Sequence, residues 1–370
     1  MQATSIKVPY VDLGGQYGPF KEEVLAALEA VLDSGQFILG PQVAAFEQEF
    51  AALCGVKYAI GVANGTDALI LPMRALGIGA GDEVIVPPNS YLASASAVAL
   101  AGATPVFVDV RDDYNIDPAK IEAAITPRTK AIVAVHLTGR PADMQAIQAI
   151  ADAHGLVVFE DAAQAVGARY QGQGVGSFGK AAGFSLHPLK NLSAGGDAGV
   201  ITTNDDDLYR HLLMARTHGH RNRDECAFWS FNSRLDTLQA AILLVKMRYL
   251  EGWTQRRRQI AAYYHDRLSA YCWTPTDQPN EYAVYHTCII QTEKRDALRD
   301  FLAANGVDTK VHYPIPIHLQ DSAAYLGYKQ GDFPVTERHT RTMLSLPVFP
   351  ELTDAQVEYV AEQSIRFFSK

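Results

Sequence analysis

The sequence predicts an α/β fold with a mostly parallel sheet in a large domain, followed by a smaller α+β domain. Between residues 57 and 204, short apolar runs of strand length alternate with segments of helical period. After Asn204 this alternation stops, and long helices precede a few further strands. Strands that alternate with helices are joined by right-handed crossovers, so their sheet is mostly parallel and covered on both faces. We expect a large domain at residues 1–250 and a small one at residues 251–370.

Composition limits the possible functions. The 370 residues are 48% hydrophobic, enough for a large core and about two domains. A net charge of -9 argues against nucleic acid or an anionic membrane as the main partner. No apolar run approaches the ~18 residues of a membrane span, and the first residues lack an apolar stretch of signal-peptide length. We therefore expect a cytoplasmic protein. The four cysteines are far apart without C-x-x-C spacing, so no disulfide framework or zinc site is expected.

The first part of the chain supplies its elements in a regular order. Helices are predicted at residues 19–32, 41–53, 68–76, 91–101 and 141–154. Strands are predicted at residues 57–62, 83–86, 105–108, 130–135, 156–159 and 181–186. Ligands in such sheets bind beyond the carboxyl ends of the strands, so residues just after these strands are candidates for a site.

The second part has a different pattern. Helices are predicted at residues 205–215, 234–250, 253–268 and 294–304, and strands at residues 283–290 and 308–312. A proline-rich loop and two more helices complete the chain. The run Arg256-Arg257-Arg258 is interpreted as a solvated or ion-paired face without a functional role.

An acid and a lysine follow two of the predicted strands. The strand at residues 156–159 is followed by Glu160 and Asp161, and Ser185, His187 and Lys190 cluster at the end of the run at residues 181–186. Lys190 lies among glycines, serines and a proline without a helical period, which is typical of a positioned loop. A lysine amine and an acid facing one cavity are what a pyridoxal phosphate (PLP) enzyme requires. The amine forms a Schiff base, and the acid keeps the pyridine nitrogen protonated.

An anion site is predicted at the turn between the first strand and its helix. The turn reads Ala63-Asn64-Gly65-Thr66-Asp67, and backbone amides at a helix start, with a glycine and a hydroxyl, can bind a phosphate. Gly65, Tyr91, Asp161 and Ser185 all come just after strand ends, so one pocket could collect them.

One motif suggests a different cofactor. Residues 174–179 match G-x-G-x-x-G, but no apolar strand precedes them and no helix follows. Because the dinucleotide-binding motif requires that context, we interpret these residues as a turn.

Several segments in order resemble the sugar aminotransferases of the DegT/DnrJ/EryC1/StrS family, which are fold type I PLP enzymes. The resemblance covers nearly the whole chain. The matching segments are FILGPQVAAFEQEFA, ANGTDAL, PPNSYLASASAV with AGATPVFVDV, EDAAQAVGA, FSLHPLKNL with GGDAGVITTN, FNSRLDTLQAA and VHYPIPIHLQ.

The resemblance implies cofactor-binding roles. Lys190 would hold PLP through a Schiff base and move the proton during catalysis, and Asp161 would bond the pyridine nitrogen. Gln164 would reach the phenolic oxygen, and Tyr91 would stack on the ring. The phosphate would be held by a set of small residues and one partner residue, namely Gly65, Thr66, Ser185 and Asn232 of a neighbouring subunit. That last contact implies a homodimer with shared active sites.

The resemblance also suggests a substrate. The loop at residues 312–320 resembles that of enzymes aminating C3 of nucleotide-linked 3-keto-6-deoxyhexoses, with L-glutamate as the amino donor. His187, His312, Tyr313 and His318 are the candidate substrate-binding residues, and a dTDP-linked 3-keto sugar is the preferred substrate. No acid or thiol completes a metal-ligand set around the histidines, so no metal is expected.

Alternatives stay open. Leu186 and His187 replace the aromatic that commonly follows the serine, which leaves the exact substrate open, including a non-nucleotide or carboxylated sugar. A 4-keto sugar and a keto-cyclitol are further alternative acceptors. The pathway could serve a cell-surface glycan such as lipopolysaccharide, or an antibiotic sugar. Some relatives have histidine at the lysine position and eliminate water, an outcome that Lys190 disfavours. A non-catalytic regulatory homologue is disfavoured because every catalytic position is filled.

Overall fold

A computed structural model describes residues 6–370. Residues 1–5 lie outside the described residues, and part of the prediction about a signal peptide falls on them.

Helices and strands alternate through the first half of the chain. The helices are α1 (Leu13–Gln16), α2 (Lys21–Ser34), α3 (Pro41–Cys54), α4 (Gly65–Ala75), α5 (Ala93–Ala101), α6 (Pro118–Ile121), α7 (Met144–His154), α8 (Asp206–Ala215), α9 (Thr237–Met247), α10 (Leu250–Leu268), α11 (Arg295–Ala304), α12 (Pro334–Thr342) and α13 (Asp354–Phe368). The strands are β1 (Tyr58–Val62), β2 (Glu83–Val86), β3 (Thr104–Phe107), β4 (Thr129–Val135), β5 (Val157–Asp161), β6 (Arg169–Tyr170), β7 (Gln173–Gly174), β8 (Ala181–Ser185), β9 (Gly199–Thr203), β10 (Glu281–Tyr282), β11 (Cys288–Gln291) and β12 (Met343–Leu346).

A seven-stranded sheet forms the centre of the fold, in the order β1-β9-β8-β5-β4-β2-β3. The pairs β3-β2, β2-β4, β4-β5 and β5-β8 are parallel, while β9 runs antiparallel to both β8 and β1. The predicted mostly parallel α/β sheet is therefore confirmed. Val135, Asp161 and Gly183 lie side by side in register, so β4, β5 and β8 end at the same edge.

The strands are apolar on both faces because helices cover both sides of the sheet. All four residues of β2 and the last four of β1 are buried. One apolar cluster packs α4, α5 and α8 against the sheet, and another packs α7 against the opposite side of the central strands. This double cover makes the sheet a rigid support for the loops that follow its strands.

A third apolar cluster joins α10, α11 and α13 to the antiparallel pair β11-β12. The predicted strand at residues 283–290 divides into β10, which pairs with β6, and β11. The predicted division of the chain at residue 250 stays a prediction.

The predicted strand at residues 308–312 is wrong. This segment makes only isolated bridges nearby, between Val8 and Val307 and between Lys310 and Ser345. β12 already pairs with β11, and Pro314, two residues after His312, has no backbone N–H to donate. A continuous ladder therefore does not form at residues 308–312. β12, which lies directly after α12, was not predicted.

The glycine-rich segment at residues 174–179 is a turn that surrounds a buried acid. The backbone amides of Gly176, Phe178 and Gly179 each donate a hydrogen bond of 2.8 Å to the carboxylate of Glu160. The interpretation of these residues as a turn is confirmed. The three amides compensate the buried charge of Glu160, the residue directly before Asp161.

Within residues 6–370, no helix has the length and apolar character needed to cross a membrane. The same part of the chain contains no group of three or more His, Cys, Asp or Glu side chains that could hold a metal. Its four cysteines are free.

Candidate active site

A cavity of about 560 Å³ lies at the carboxyl ends of the parallel strands. Ten of the twelve predicted site residues line it, namely Gly65, Thr66, Tyr91, Asp161, Gln164, Ser185, His187, Lys190, His312 and Tyr313. Residues from both ends of the chain therefore surround a single space.

Lys190 lies in a turn after β8, where its backbone amide donates to the carbonyl of His187 at 2.8 Å. Its side chain lines the cavity and is partly removed from water. This desolvation lowers the pKa of Lys190 from 10.5 to about 8, although the charge of Asp161 acts in the opposite direction. A lower pKa increases the neutral, nucleophilic fraction of the amine near neutral pH.

Asp161 is the last residue of β5 and is buried. Its Oδ2 accepts a hydrogen bond of 2.5 Å from Ser94 Oγ, and its Oδ1 accepts one of 3.1 Å from the amide of Ala163. Ser94 Oγ lies 2.6 Å from Ser90 Oγ. These bonds hold the carboxylate in one orientation at the cavity wall.

The start of α4 forms one end of the cavity. Asn64 caps the helix, with its Oδ1 accepting from the amide of Asp67 at 2.9 Å. A Cβ on Gly65 would lie 2.6 Å from the Cβ of Ser185, so only glycine lets the helix approach Ser185 this closely. The first amides of a helix have no intrahelical partner and carry a partial positive charge, which suits a phosphate.

Gln164 has a fixed amide orientation. Its Oε1 accepts from the amide of Thr138 at 2.7 Å, and its Nε2 donates to Tyr313 Oη at 3.2 Å. The rings of Tyr313 and Tyr91 are 5.7 Å apart. Tyr91 is 58% exposed, which is inconsistent with a core-packing role.

The two predicted histidines that line the cavity differ in environment. His312 Nδ1 is 2.8 Å from Ser345 Oγ, and burial together with the charges of Lys190 and Lys310 lowers the pKa of His312 to about 4. His312 is therefore neutral at physiological pH. His187 is exposed, and its Nδ1 accepts from the amide of Leu189 at 3.3 Å.

The structure does not bring the remaining two predicted residues to this cavity. His318 is buried, with its Nε2 3.2 Å from Glu337 Oε1. Asn232 forms a backbone bridge with Thr217 and does not line the cavity of its own chain.

Sequence reasoning missed several cavity residues, including Tyr10, His136, Arg257, His286 and Lys310. Arg257 could have been found from the helical period. Its position continues the apolar stripe of α10 through Leu250, Thr254, Ala261 and Tyr264, at alternating spacings of four and three.

His136 directly follows β4 and contacts the acid next to Asp161. Its Nδ1 accepts from the amide of Ala142 at 2.9 Å, so its Nε2 carries the proton that is donated to Glu160 at 3.0 Å. The imidazole of His136 is therefore the neutral tautomer with its proton on Nε2. Its partner, Glu160, is the residue directly before Asp161.

These residues fit PLP. The start of α4 where Gly65 approaches Ser185, here called the Gly65 cradle, would suit a phosphate. The amine of Lys190 has a lowered pKa, and Asp161 presents an oriented carboxylate on the wall of the same cavity. The fold and the site together define a PLP-dependent aminotransferase.

The chain belongs to the DegT/DnrJ/EryC1/StrS aminotransferase family, whose sequence profile matches residues 19–364. It is 47% identical to a "dTDP-3-amino-3,6-dideoxy-alpha-D-galactopyranose transaminase" of Aneurinibacillus thermoaerophilus, over 97% of this chain and 99% of the relative. It is 46% identical to a "UDP-N-acetyl-3-dehydro-alpha-D-glucosamine 3-aminotransferase" of Acidithiobacillus ferrooxidans, over 96% of each chain.

A third relative has a name of a different kind. The chain is 46% identical to a "pleiotropic regulatory protein" of Geobacillus stearothermophilus, over 98% of this chain and 99% of the relative. Among solved structures, S. venezuelae DesV in complex with a ketimine intermediate matches with a TM-score of 0.96 and 44% identity, over 98% of this chain and 99% of that chain. The chain is thus a PLP-dependent sugar aminotransferase by family and by fold.

Proposed function

We propose that this enzyme transfers the amino group of L-glutamate to the C3 ketone of a nucleotide-linked 3-keto-6-deoxyhexose, with a dTDP-linked sugar as the preferred acceptor. The observation that carries the proposal is the single cavity that joins Lys190, Asp161 and the Gly65 cradle to the loop with His312 and Tyr313. The names of the dTDP-sugar and UDP-sugar relatives support amination at C3. They leave the choice of nucleotide to experiment.

Each residue has a part in the reaction. PLP supplies an electron sink that stabilises negative charge at the carbon from which the proton leaves. Lys190 Nζ would move the proton from the donor α carbon to the bound cofactor, and in the second half-reaction it would move a proton from the cofactor to C3 of the acceptor. Positioned proton transfer of this kind contributes roughly 10²- to 10⁴-fold in rate. Asp161 would keep a proton on the ring nitrogen. Gln164 Nε2 and Tyr313 Oη provide neutral polar contacts near the reacting groups.

The proposed assembly is a homodimer in the cytoplasm. Asn232 would reach the phosphate of the neighbouring subunit, consistent with its position outside its own cavity. Trp229, three residues earlier, is 91% exposed, and Leu92 beside Tyr91 is 42% exposed. Tryptophan is enriched at protein–protein interfaces, so the exposed Trp229 close to Asn232 supports contact with another chain.

A panel of acceptors tests the substrate. The PLP-loaded protein is incubated with L-glutamate and with dTDP- or UDP-linked 3-keto sugars, 4-keto sugars and keto-cyclitols, and 2-oxoglutarate release is measured. We expect the highest kcat/KM for a dTDP-linked 3-keto sugar. Preference for a 4-keto sugar or a cyclitol would contradict the proposal, and water elimination without 2-oxoglutarate would indicate a dehydratase.

A regulatory function is the second candidate, favoured by the name of the Geobacillus relative. It predicts that the protein binds PLP fully but reacts with no amino donor. Conversion of the bound cofactor to its amine form by L-glutamate alone, followed by absorbance, would exclude a purely non-catalytic role.

A further inference from the structure

The guanidinium of Arg257 lies in the wall of the cavity on α10, apart from the elements that form the phosphate cradle. The side chain is only 6% exposed. Neighbouring parts of this wall come from the segment after β12, which contributes Val348 and Phe349. A buried cation that faces a ligand cavity is a candidate for binding an anionic group.

The hydrogen bonds of Arg257 leave one terminal nitrogen of the guanidinium available. Nη1 donates to the carbonyl of Val348, and lies 3.3 Å from the carbonyl of Tyr285 and 3.4 Å from that of His286. Nε has no partner within residues 6–370, but it is inaccessible to solvent and therefore to a ligand. Nη2 makes no hydrogen bond to these residues and is not among their inaccessible atoms. A free guanidinium nitrogen of this kind can donate a charge-assisted hydrogen bond to a carboxylate.

The two arginines next to Arg257 in the sequence both form ion pairs. Arg256 pairs with Asp354 at 2.8 Å and Arg258 with Asp277 at 2.6 Å. Across the described part of the chain, no carboxylate forms an ion pair with Arg257. Glu351 is near enough to favour its charged form but makes no such contact. Arg257 is therefore a buried charge whose counter-ion the described chain does not supply.

Arg257 remains charged in this position. Burial lowers the pKa of Arg257 to about 10, which still leaves the guanidinium protonated at neutral pH. Its charge and that of Lys190 contribute to lowering the pKa of His286 well below its ordinary value, after the larger effect of burial. Both cations therefore act on the same side chain at the cavity wall.

We propose that Arg257 binds a carboxylate of the amino donor through Nη2. The inference rests on the proposed function, because it assigns a binding site for the donor of that reaction. A terminal carboxylate can enter a corner where the arginine is 6% exposed. The diphosphate of a nucleotide sugar carries bulky groups on both sides and needs open space around it. Lys310, which is exposed at the cavity, suits that second anion better.

Calorimetry with small anions provides a test that does not depend on turnover. Glutarate serves as a carboxylate probe and inorganic pyrophosphate as a diphosphate probe, each titrated into the PLP-loaded protein. In Arg257→Met we expect glutarate binding to weaken by about 10- to 100-fold, the size typical for loss of a charged hydrogen-bonded pair. Pyrophosphate binding should change by less than about 3-fold on the same reasoning. Arg257→Lys should lie between wild type and Arg257→Met for glutarate.

The two half-reactions separate the donor from the sugar. With L-glutamate, kcat/KM in Arg257→Met should fall about as much as glutarate affinity, while the reverse half-reaction with a nucleotide amino sugar should stay within about 3-fold of wild type. Arg256→Met is the matched control, because that arginine lies on the same helix and pairs with an exposed acid. Thermal unfolding checks that the variants are folded. If Arg257→Met does not fold, the same measurements on Arg257→Lys provide the test.

Three results would overturn the inference. Unchanged glutarate binding in a folded Arg257→Met would do so, as would equal losses in both half-reactions, which would indicate a structural role. Selective loss of pyrophosphate binding and of the amino-sugar half-reaction would assign Arg257 to the nucleotide sugar. If the wild type does not react with L-glutamate, the proposed function fails, whereas glutarate binding that depends on Arg257 would still support a carboxylate site.

Discussion

Ser94 Oγ donates a 2.5 Å hydrogen bond to Asp161 Oδ2, and this contact joins α5 to the end of β5. Ser94 is completely buried, and Ser90 continues the chain of hydroxyls at 2.6 Å. The carboxylate of Asp161, which would bond the cofactor ring, is therefore oriented by Ser94, a residue 67 positions earlier in the sequence. Such support keeps a catalytic group in position without direct contact with the substrate.

Ser94→Ala tests this positioning role. Loss of a hydrogen bond to a charged group costs about 1.5–3 kcal/mol, so we expect the rate of the L-glutamate half-reaction to fall by roughly 10- to 100-fold. Ser96→Ala, on the same helix, removes only a weak 3.4 Å bond to the carbonyl of Ala93 and should react normally. Stopped-flow absorbance measures both variants. Equal rates for the two variants would contradict the role of Ser94.

The uptake of PLP by the cofactor-free protein should depend on pH. The pKa of Lys190 is lowered to about 8 by burial, and only the neutral amine attacks the aldehyde. The uptake rate should therefore rise with pH and reach half its maximum near pH 8, when the known ionisations of free PLP are corrected for. At pH 7, roughly a tenth of the amine is neutral, far more than for an ordinary lysine. A rate that continues to rise steeply above pH 9 would show an unshifted lysine.

Gly65→Ala should weaken PLP binding. The added Cβ would lie 2.6 Å from the Cβ of Ser185 and 2.9 Å from its Cα, so the start of α4 must move away from the phosphate position. We expect the Kd for PLP to increase by about tenfold or more, since misplacement of a few hydrogen bonds costs on the order of 1–3 kcal/mol. Gly252→Ala is the control, because its Cβ would meet nothing within 4 Å. Fluorescence titration with PLP compares them, and equal affinities would argue against the cradle.

His318 should matter for stability more than for the substrate. It was predicted to bind substrate, but its buried ring contacts Glu337, whose Oε1 also accepts from the amide of Gly331 at 2.7 Å. His318→Leu would leave a buried carboxylate without this partner and should lower the free energy of unfolding by about 1–3 kcal/mol. The KM for the keto sugar should change little. A large rise in KM with unchanged denaturant unfolding would restore the predicted substrate role.

Periodicity predicted the sheet well because its strands are buried on both faces. The strand at residues 83–86 has the predicted bounds, since four apolar or buried residues stand between turn residues on both sides. The periodicity did not predict the pairing of strands that are far apart in the sequence. β12 joins β11 over about 50 residues, and residues 308–312 make a single bridge to it at Lys310.

The candidate site was predictable where its chemistry follows strand ends. Lys190 and Asp161 lie there, and the structure brings them to one cavity. Arg257 was missed because three consecutive arginines look alike in composition, whereas a helix turns by 100° per residue and buries only one of them. His318 differs from His312 by six positions in one loop, and only the fold shows that one is in the core and the other lines the cavity.

The proposed chemistry requires that Lys190 is the residue that holds PLP. The most direct measurement is reduction of the PLP-loaded protein with borohydride, followed by digestion and mass spectrometry to locate the lysine that carries the pyridoxyl group. We expect the label on Lys190, no label in Lys190→Ala, and normal labelling in Lys180→Ala, whose exposed lysine pairs with Asp205. A label on another lysine in the wild type, or retained Schiff-base absorbance in Lys190→Ala, would contradict the account.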